Sequence, residues 1–143
     1  FTGPSASPNL AEDPTDIPGQ HADFTTAPFT SDVTSVGVPS LRVKLSHIAP
    51  TDLVIYAKAW DVAPDGTAAL INRQIAPARI PTSALSAPAE IKLIGFAHRF
   101  AAGHSFRLTL ATTDQTSYNN PVADAITITT GPGSILTLPT GAD

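Results

Sequence analysis

The stretch Phe100-Ala101-Ala102-Gly103-His104-Ser105-Phe106-Arg107-Leu108-Thr109-Leu110 decides how this chain is read. Its Gly103-His104-Ser105 centre nearly spells the Gly-x-Ser-x-Gly nucleophile elbow of an α/β-hydrolase, but Arg107 stands where the last glycine is needed. An elbow presents its serine on a strained strand-to-helix turn, and small residues around the serine let the helix pack closely on the strand. The residues after Ser105 have another period. Phe106, Leu108 and Leu110 alternate with Arg107 and Thr109, the two-residue repeat of a half-buried strand starting just after a turn at Gly103. Ser105 therefore reads as a strand residue rather than a nucleophile.

At the scale of the whole chain, 143 residues fit one domain, and 42% hydrophobic residues suffice for a core that folds alone. The formal charge of −4 is spread over a chain with only 14% charged residues and no basic run, which gives binding to nucleic-acid phosphates no footing. Cysteine is absent, excluding disulfides, thiolate metal sites and a cysteine nucleophile. No apolar run approaches the roughly 20 residues of a membrane-spanning helix, and the first residues lack the charged and apolar regions of a signal peptide. The chain as given is expected to be soluble, and composition leaves open whether it is a processed protein or an excised domain. A cysteine-free, acidic, Thr- and Pro-rich chain leans toward an exported or cell-envelope location.

Residues 1–26 are rich in Pro, Ser, Thr, Asp and Gly. Pro4, Pro8, Pro14 and Pro18 are spaced so that neither a helix nor a paired strand persists, so this segment reads as a linker or extended arm that pairs little. The domain proper is expected over residues 27–143. There, short β-branched runs alternate with turn residues: 30–38, 41–46, 53–61, 68–76, 91–100, 105–113, 125–130 and 134–138. Ala49-Pro50-Thr51-Asp52, Ala63-Pro64-Asp65-Gly66, Ala101-Ala102-Gly103 and Gly131-Pro132-Gly133 supply the turn chemistry between them. About eight strands at this spacing predict an all-β fold, an antiparallel sandwich or barrel.

One run carries more apolar surface than a sandwich strand needs. Leu53, Ile55, Ala57 and Ala59 fall on one face and Val54, Tyr56, Lys58 and Trp60 on the other, whereas a sandwich strand usually turns a polar face to water. Two coverings are open for the second face: the N-terminal arm, or another domain, partner or copy docked through Val54, Tyr56 and Trp60.

Taken in order, the motifs resemble those of a known family. They are Ala27-Pro28-Phe29-Thr30 leading to Val36-Gly37-Val38-Pro39-Ser40-Leu41, then Thr51-Asp52-Leu53, then Ala57-Lys58-Ala59-Trp60-Asp61-Val62-Ala63-Pro64-Asp65-Gly66. Arg99-Phe100-Ala101-Ala102-Gly103-His104 comes next, running into Phe106-Arg107-Leu108, and Ser134-Ile135-Leu136-Thr137-Leu138-Pro139 is last. From about Ala27 to Pro139 the chain resembles the C-terminal β-sandwich domain of the X-prolyl dipeptidyl peptidase and cocaine-esterase-like (CocE/NonD) serine hydrolases. That resemblance implies a galactose-binding-domain-like jelly roll. It also implies a partner in the same polypeptide, an α/β-hydrolase domain that carries the serine, aspartate and histidine. The chain would then be non-catalytic, buttressing that domain and helping to wall the substrate entrance. Gln74 departs from the glycine usual before the next strand pair, and Asp114-Gln115 lacks the proline often found after the Gly-His strand.

The residues themselves offer other chemistry. Ser105, a histidine and an aspartate can be assembled into a triad on paper, but a triad is a geometry, so no catalytic residue is assigned. His98 and His104 match no zinc spacing, and His104 is expected to hydrogen-bond backbone groups of its turn. Asp61 and Asp65 invite a calcium reading but lack a series of six to eight oxygen ligands, and Asp65-Gly66 after Pro64 is explained by a hairpin turn. No metal or cofactor is assigned. Tyr56, Trp60, Tyr118, Asn119 and Asn120 are the residues for a ligand or interface, since sugar-type sites pair aromatic platforms with amides. They carry the alternative function, a free-standing jelly roll that binds carbohydrate or a protein partner.

Overall fold

Period-two alternation sets the layers. In β3 (Ser40–His47), Leu41, Val43 and Leu45 are buried while Arg42, Lys44 and Ser46 face water, the pattern of a strand with one face on a core. The computed structural model describes residues 19–112 and 125–141. Within them the other strands are β1 (His21–Thr25), β2 (Val33–Gly37), β4 (Leu53–Val62), β5 (Ala68–Ile80), β6 (Ala89–Lys92), β7 (Phe96–Phe100), β8 (Ser105–Ala111), β9 (Ile126–Thr129) and β10 (Ile135–Thr137). One 3-10 turn, Thr82–Ser86, joins β5 to β6.

The strands form a jelly-roll sandwich. One sheet has the order β1-β8-β4-β5, the second β10-β3-β6 with β9 also on β3, and β2 and β7 make a separate ribbon. Every pairing is antiparallel. Between the layers, Leu53, Ile55, Ala57 and Ala59 of β4 and Phe106, Leu108 and Leu110 of β8 share one core with Leu41, Val43 and Leu45 of β3 and Ile91 of β6. At one end Phe100 and Phe106, both fully buried, meet edge to face at 6.0 Å, and Phe29 lies 5.3 Å from Phe100. Each such ring contributes about 2–3 kcal/mol by leaving water.

Ten strands stand in the described residues where the sequence predicts about eight, and each difference has a physical reason. The run 91–100 splits because β6 pairs with β3 while β7 pairs with β2, and Leu93 to Gly95 carry the chain across. A Cβ on Gly95 would sit 3.3 Å from the Gly37 carbonyl oxygen, so a side chain there would crowd the crossing. β5 runs past Ala76 through Pro77 to Ile80 because it lies at a sheet edge, where a missing N–H costs little. It also carries extra residues opposite the Lys58/Trp60 irregularity, where Asn72 and Arg73 adopt φ of +52° and +53°. β1 pairs with β8 through five residues, from His21 opposite Ala111 to Thr25 opposite Arg107. The end of the segment expected to pair little is thus an edge strand, tied further by the Thr109 hydroxyl donating to Asp23 Oδ1 at 2.6 Å.

The second face of β4 is closed. Tyr56, Lys58 and Trp60 are 5%, 1% and 8% exposed, so the excess apolar area is covered within the chain and does not stand open to a partner.

Candidate functional site

The polar cluster that the fold builds lies where the apolar rows of β4 and β8 run out. On β4 the core-facing row Leu53, Ile55, Ala57, Ala59 continues, by alternation, to Asp61. On β7 the inward row is Phe96, His98, Phe100, and the β8 row Phe106, Leu108, Leu110 extends backward to His104. Three elements therefore aim one carboxyl and two imidazoles at the same end of the core. His104 Nδ1 lies 2.7 Å from Asp61 Oδ1 and His98 Nε2 lies 2.8 Å from Asp61 Oδ2. The Asp61 side chain is 14% exposed and the imidazoles are about twice as open.

An ionised carboxylate only accepts, so both ring nitrogens donate to it: His104 as the Nδ1–H tautomer and His98 through Nε2–H. One aspartate thereby satisfies two imidazoles and joins the β2–β7 ribbon to the four-stranded sheet. His98 also packs edge-on against Phe100 at 4.7 Å. This corrects the expectation that His104 bonds backbone groups of its turn through its ring. The Gly103 turn is held by other atoms: the Gly103 N–H donates to Phe29 O at 2.7 Å, the Phe29 N–H to His104 O at 2.8 Å, and the Ala102 N–H to Asp32 Oδ1 at 2.8 Å. Asp32 also pairs with Arg99. The Ala102 amide first, then Arg99, hold the Asp32 carboxyl below its ordinary range.

The His104–Asp61 bond has the form of the base and orienting acid of a hydrolytic triad, but Ser105 is not placed as its third member. His104 and Ser105 are consecutive in an extended segment, so their side chains leave on opposite sides. Ser105 is buried opposite Val62. The second carboxylate oxygen is taken by His98. The cluster is built to hold strands together.

Asp61 and Asp65 are likewise spent on separate tasks. Asp65 Oδ1 accepts from the Thr67 N–H at 2.9 Å while the Gly66 N–H reaches Ala63 O at 2.9 Å, which closes the expected hairpin turn between β4 and β5. The Thr67 amide is the main reason the Asp65 carboxyl lies below its ordinary range. Among the described residues no three His, Asp or Glu side chains gather as a metal group.

Of the residues proposed for a ligand or interface, Tyr56 and Trp60 lie on the closed strand β4, and Tyr118, Asn119 and Asn120 lie outside the described residues. The Trp60 indole N–H is buried without a hydrogen-bond partner, as is Gln74 Oε1. Asp61 is the residue that sequence reasoning placed at the end of the 53–61 strand and weighed only as a calcium ligand, without its two histidine partners. The signal available was a polar residue continuing the apolar rows of β4 and β8 and another interrupting that of β7, places where a charge needs a partner.

Fold and site together define an all-β sandwich whose polar cluster is structural. A comparison with protein-family models agrees: the family described as the X-Pro dipeptidyl-peptidase C-terminal non-catalytic domain matches residues 4–131, and the chain belongs to that family. Solved structures show the same fold. A CocE/NonD family hydrolase from Staphylococcus aureus is 15% identical with a TM-score of 0.65, over 85% of this chain and 30% of that one. An α-amino acid ester hydrolase is 18% identical with a TM-score of 0.69, over 92% and 28%. An aminopeptidase from a marine sediment archaeon, Thaumarchaeota archaeon, is 20% identical with a TM-score of 0.58, over 74% and 20%. The chain spans less than a third of the length of each. No curated protein matches it by sequence.

Proposed function

We propose that this chain is the accessory domain of a serine hydrolase of the CocE and X-prolyl-peptidase type and performs no chemistry itself. The match to a non-catalytic domain family over residues 4–131 carries the reading. Two further observations support it. Solved proteins that share the fold are hydrolases more than three times longer than the segment they share with this chain. Among the described residues the His104–Asp61 pair, which has the form of catalytic machinery, shares its carboxylate with His98, and His104 leaves the strand on the side opposite Ser105.

In this role the sandwich acts by rigidity. Two sheets, a common core and the Asp61 clasp present a fixed surface on which a catalytic domain of the same polypeptide is buttressed, and the sandwich helps to wall its substrate entrance. Ester or peptide cleavage, by acyl transfer to a serine and then to water, would take place in that other domain. Trp60 is buried and offers no open platform for a sugar ring.

The test is to remove residues 19–141 from the polypeptide that carries them and monitor hydrolysis of an amino-acid ester and an X-Pro anilide. The expected result is a shorter half-life of activity at 37 °C, with the purified 143-residue chain inert toward both substrates. Equal half-lives with and without the segment would contradict the role.

A further inference from the structure

The outer face of β4 is covered, and the described strands do not account for the cover. Tyr56, Lys58 and Trp60 point away from the core, since Leu53, Ile55, Ala57 and Ala59 take the row that meets the second sheet. All three are nonetheless buried. Among the described residues β4 packs mainly on its own sheet neighbours, β5 and β8, and sheet neighbours flank a strand rather than roof its face.

The buried groups specify what the cover carries. Lys58 lies between Thr109 on β8 and Ile75 on β5, neither of them charged, and it is engaged in a contact of its own. A lysine this deep is found paired, which calls for a carboxylate. The Trp60 indole N–H is buried without a hydrogen-bond partner, which calls for an acceptor. Tyr56 and Trp60 stand four residues apart on the same face, roughly 13 Å. Aromatic side chains along a groove are the surface on which extended Pro-rich segments dock, and the backbone carbonyls of such segments make no bonds of their own.

Residues 1–18, outside the described residues, have that chemistry. They hold Pro4, Pro8, Pro14 and Pro18, the carboxylates of Glu12, Asp13 and Asp16, and no lysine or arginine. They also enter the sheet beside this face. His21, at the start of β1, is in register with Ala111 and through it with Tyr56, and the chain turns just before, at Gly19 with φ +84°. From there Lys58 is two strands over, roughly 10 Å across the sheet, and residues 13–18 reach about 19 Å when extended. The family match begins at residue 4, which counts this segment with the domain. Residues 113–124 leave the sheet at the same end but are tied at both ends, between β8 in one sheet and β9 on the other. We infer that residues 12–18 dock as an extended strap over Tyr56, Lys58 and Trp60, with their carboxylates on the Lys58 ammonium and a backbone carbonyl on the Trp60 indole.

Trp60 is the sole tryptophan of the chain, so its fluorescence reports the cover. In the intact 143-residue chain, Glu12→Gln, Asp13→Asn and Asp16→Asn together are expected to raise the acrylamide quenching constant of Trp60 at least twofold and to lower the melting temperature by about 5 °C. Both changes should shrink by at least half in the Lys58→Met background, where the paired charge is gone. A chain beginning at Gly19 should show the same rise in quenching and lose it on addition of the peptide of residues 1–18. Quenching and melting that the triple variant leaves unchanged overturn the strap. A rise produced instead by Asp114→Asn with Asp124→Asn names residues 113–124 as the cover and overturns it too. Quenching that falls as protein concentration rises names a second copy and does the same.

Discussion

Replacing Asp61 by alanine should unfasten the β2–β7 ribbon from the main sheet. The substitution removes the acceptor of two hydrogen bonds, 2.7 Å to His104 and 2.8 Å to His98, from a carboxylate that is 14% exposed. Bonds to an ionised group contribute about 1.5–3 kcal/mol each when buried. The imidazoles are 27% and 29% exposed, so water recovers part of the loss, and about 1 kcal/mol per bond is the appropriate figure. With the volume lost, Asp61→Ala should cost about 2–3 kcal/mol, which for a domain of this size lowers the melting temperature by roughly 8–12 °C. Thermal and urea unfolding monitored by circular dichroism give the number. The diagnostic part is the coupling: His98→Ala and His104→Ala should each cost about 1 kcal/mol less in the Asp61→Ala background than in the parent. Histidine costs that are the same in both backgrounds would refute the shared carboxylate.

Three other substitutions probe separate links. Gly103 sits at φ +85° with a built Cβ 3.2 Å from Pro64 Cγ, so Gly103→Ala should destabilise by about 1–2 kcal/mol in urea unfolding; no measurable loss would mean the turn is not fixed. Asp32, lowered by the Ala102 amide and Arg99, stabilises the fold above the ordinary carboxylate pKa, and the contribution is lost as pH falls through its lowered value. Asp32→Asn should therefore melt below the parent at pH 7, with the gap closing below about pH 4; a gap constant down to pH 2 would contradict this. Gln74 Oε1 is buried without a partner, so Gln74→Leu should raise stability by about 1 kcal/mol, and a loss of similar size would show that the amide makes a bond after all.

The strand series was legible because alternation is local. Phe106, Leu108 and Leu110 announce β8 without knowledge of any neighbour, and the same holds for Leu41, Val43 and Leu45 in β3. What alternation does not give is the partner. It places Asp61 and His104 at the ends of their rows and His98 between Phe96 and Phe100, but that the three meet at one point depends on how β7 crosses from β6, which only the pairing of Phe96–Phe100 with β2 reveals. The edge strand His21–Thr25 was hidden for a related reason: its prolines lie before it, and its register is set by β8. The closed face of Tyr56, Lys58 and Trp60 shows a limit of the same kind, since a two-faced apolar strand states that something covers it but not what.

If the sandwich is an accessory domain, the chemistry lies outside these residues. Labelling the native source with a fluorophosphonate probe, which forms an adduct with an activated serine, and mapping the labelled polypeptide by peptide mass decides this. The expected result is a labelled polypeptide several times longer than 143 residues, containing this sequence and carrying the adduct elsewhere. An adduct on Ser105, or an unlabelled chain of the present length working alone, would contradict it.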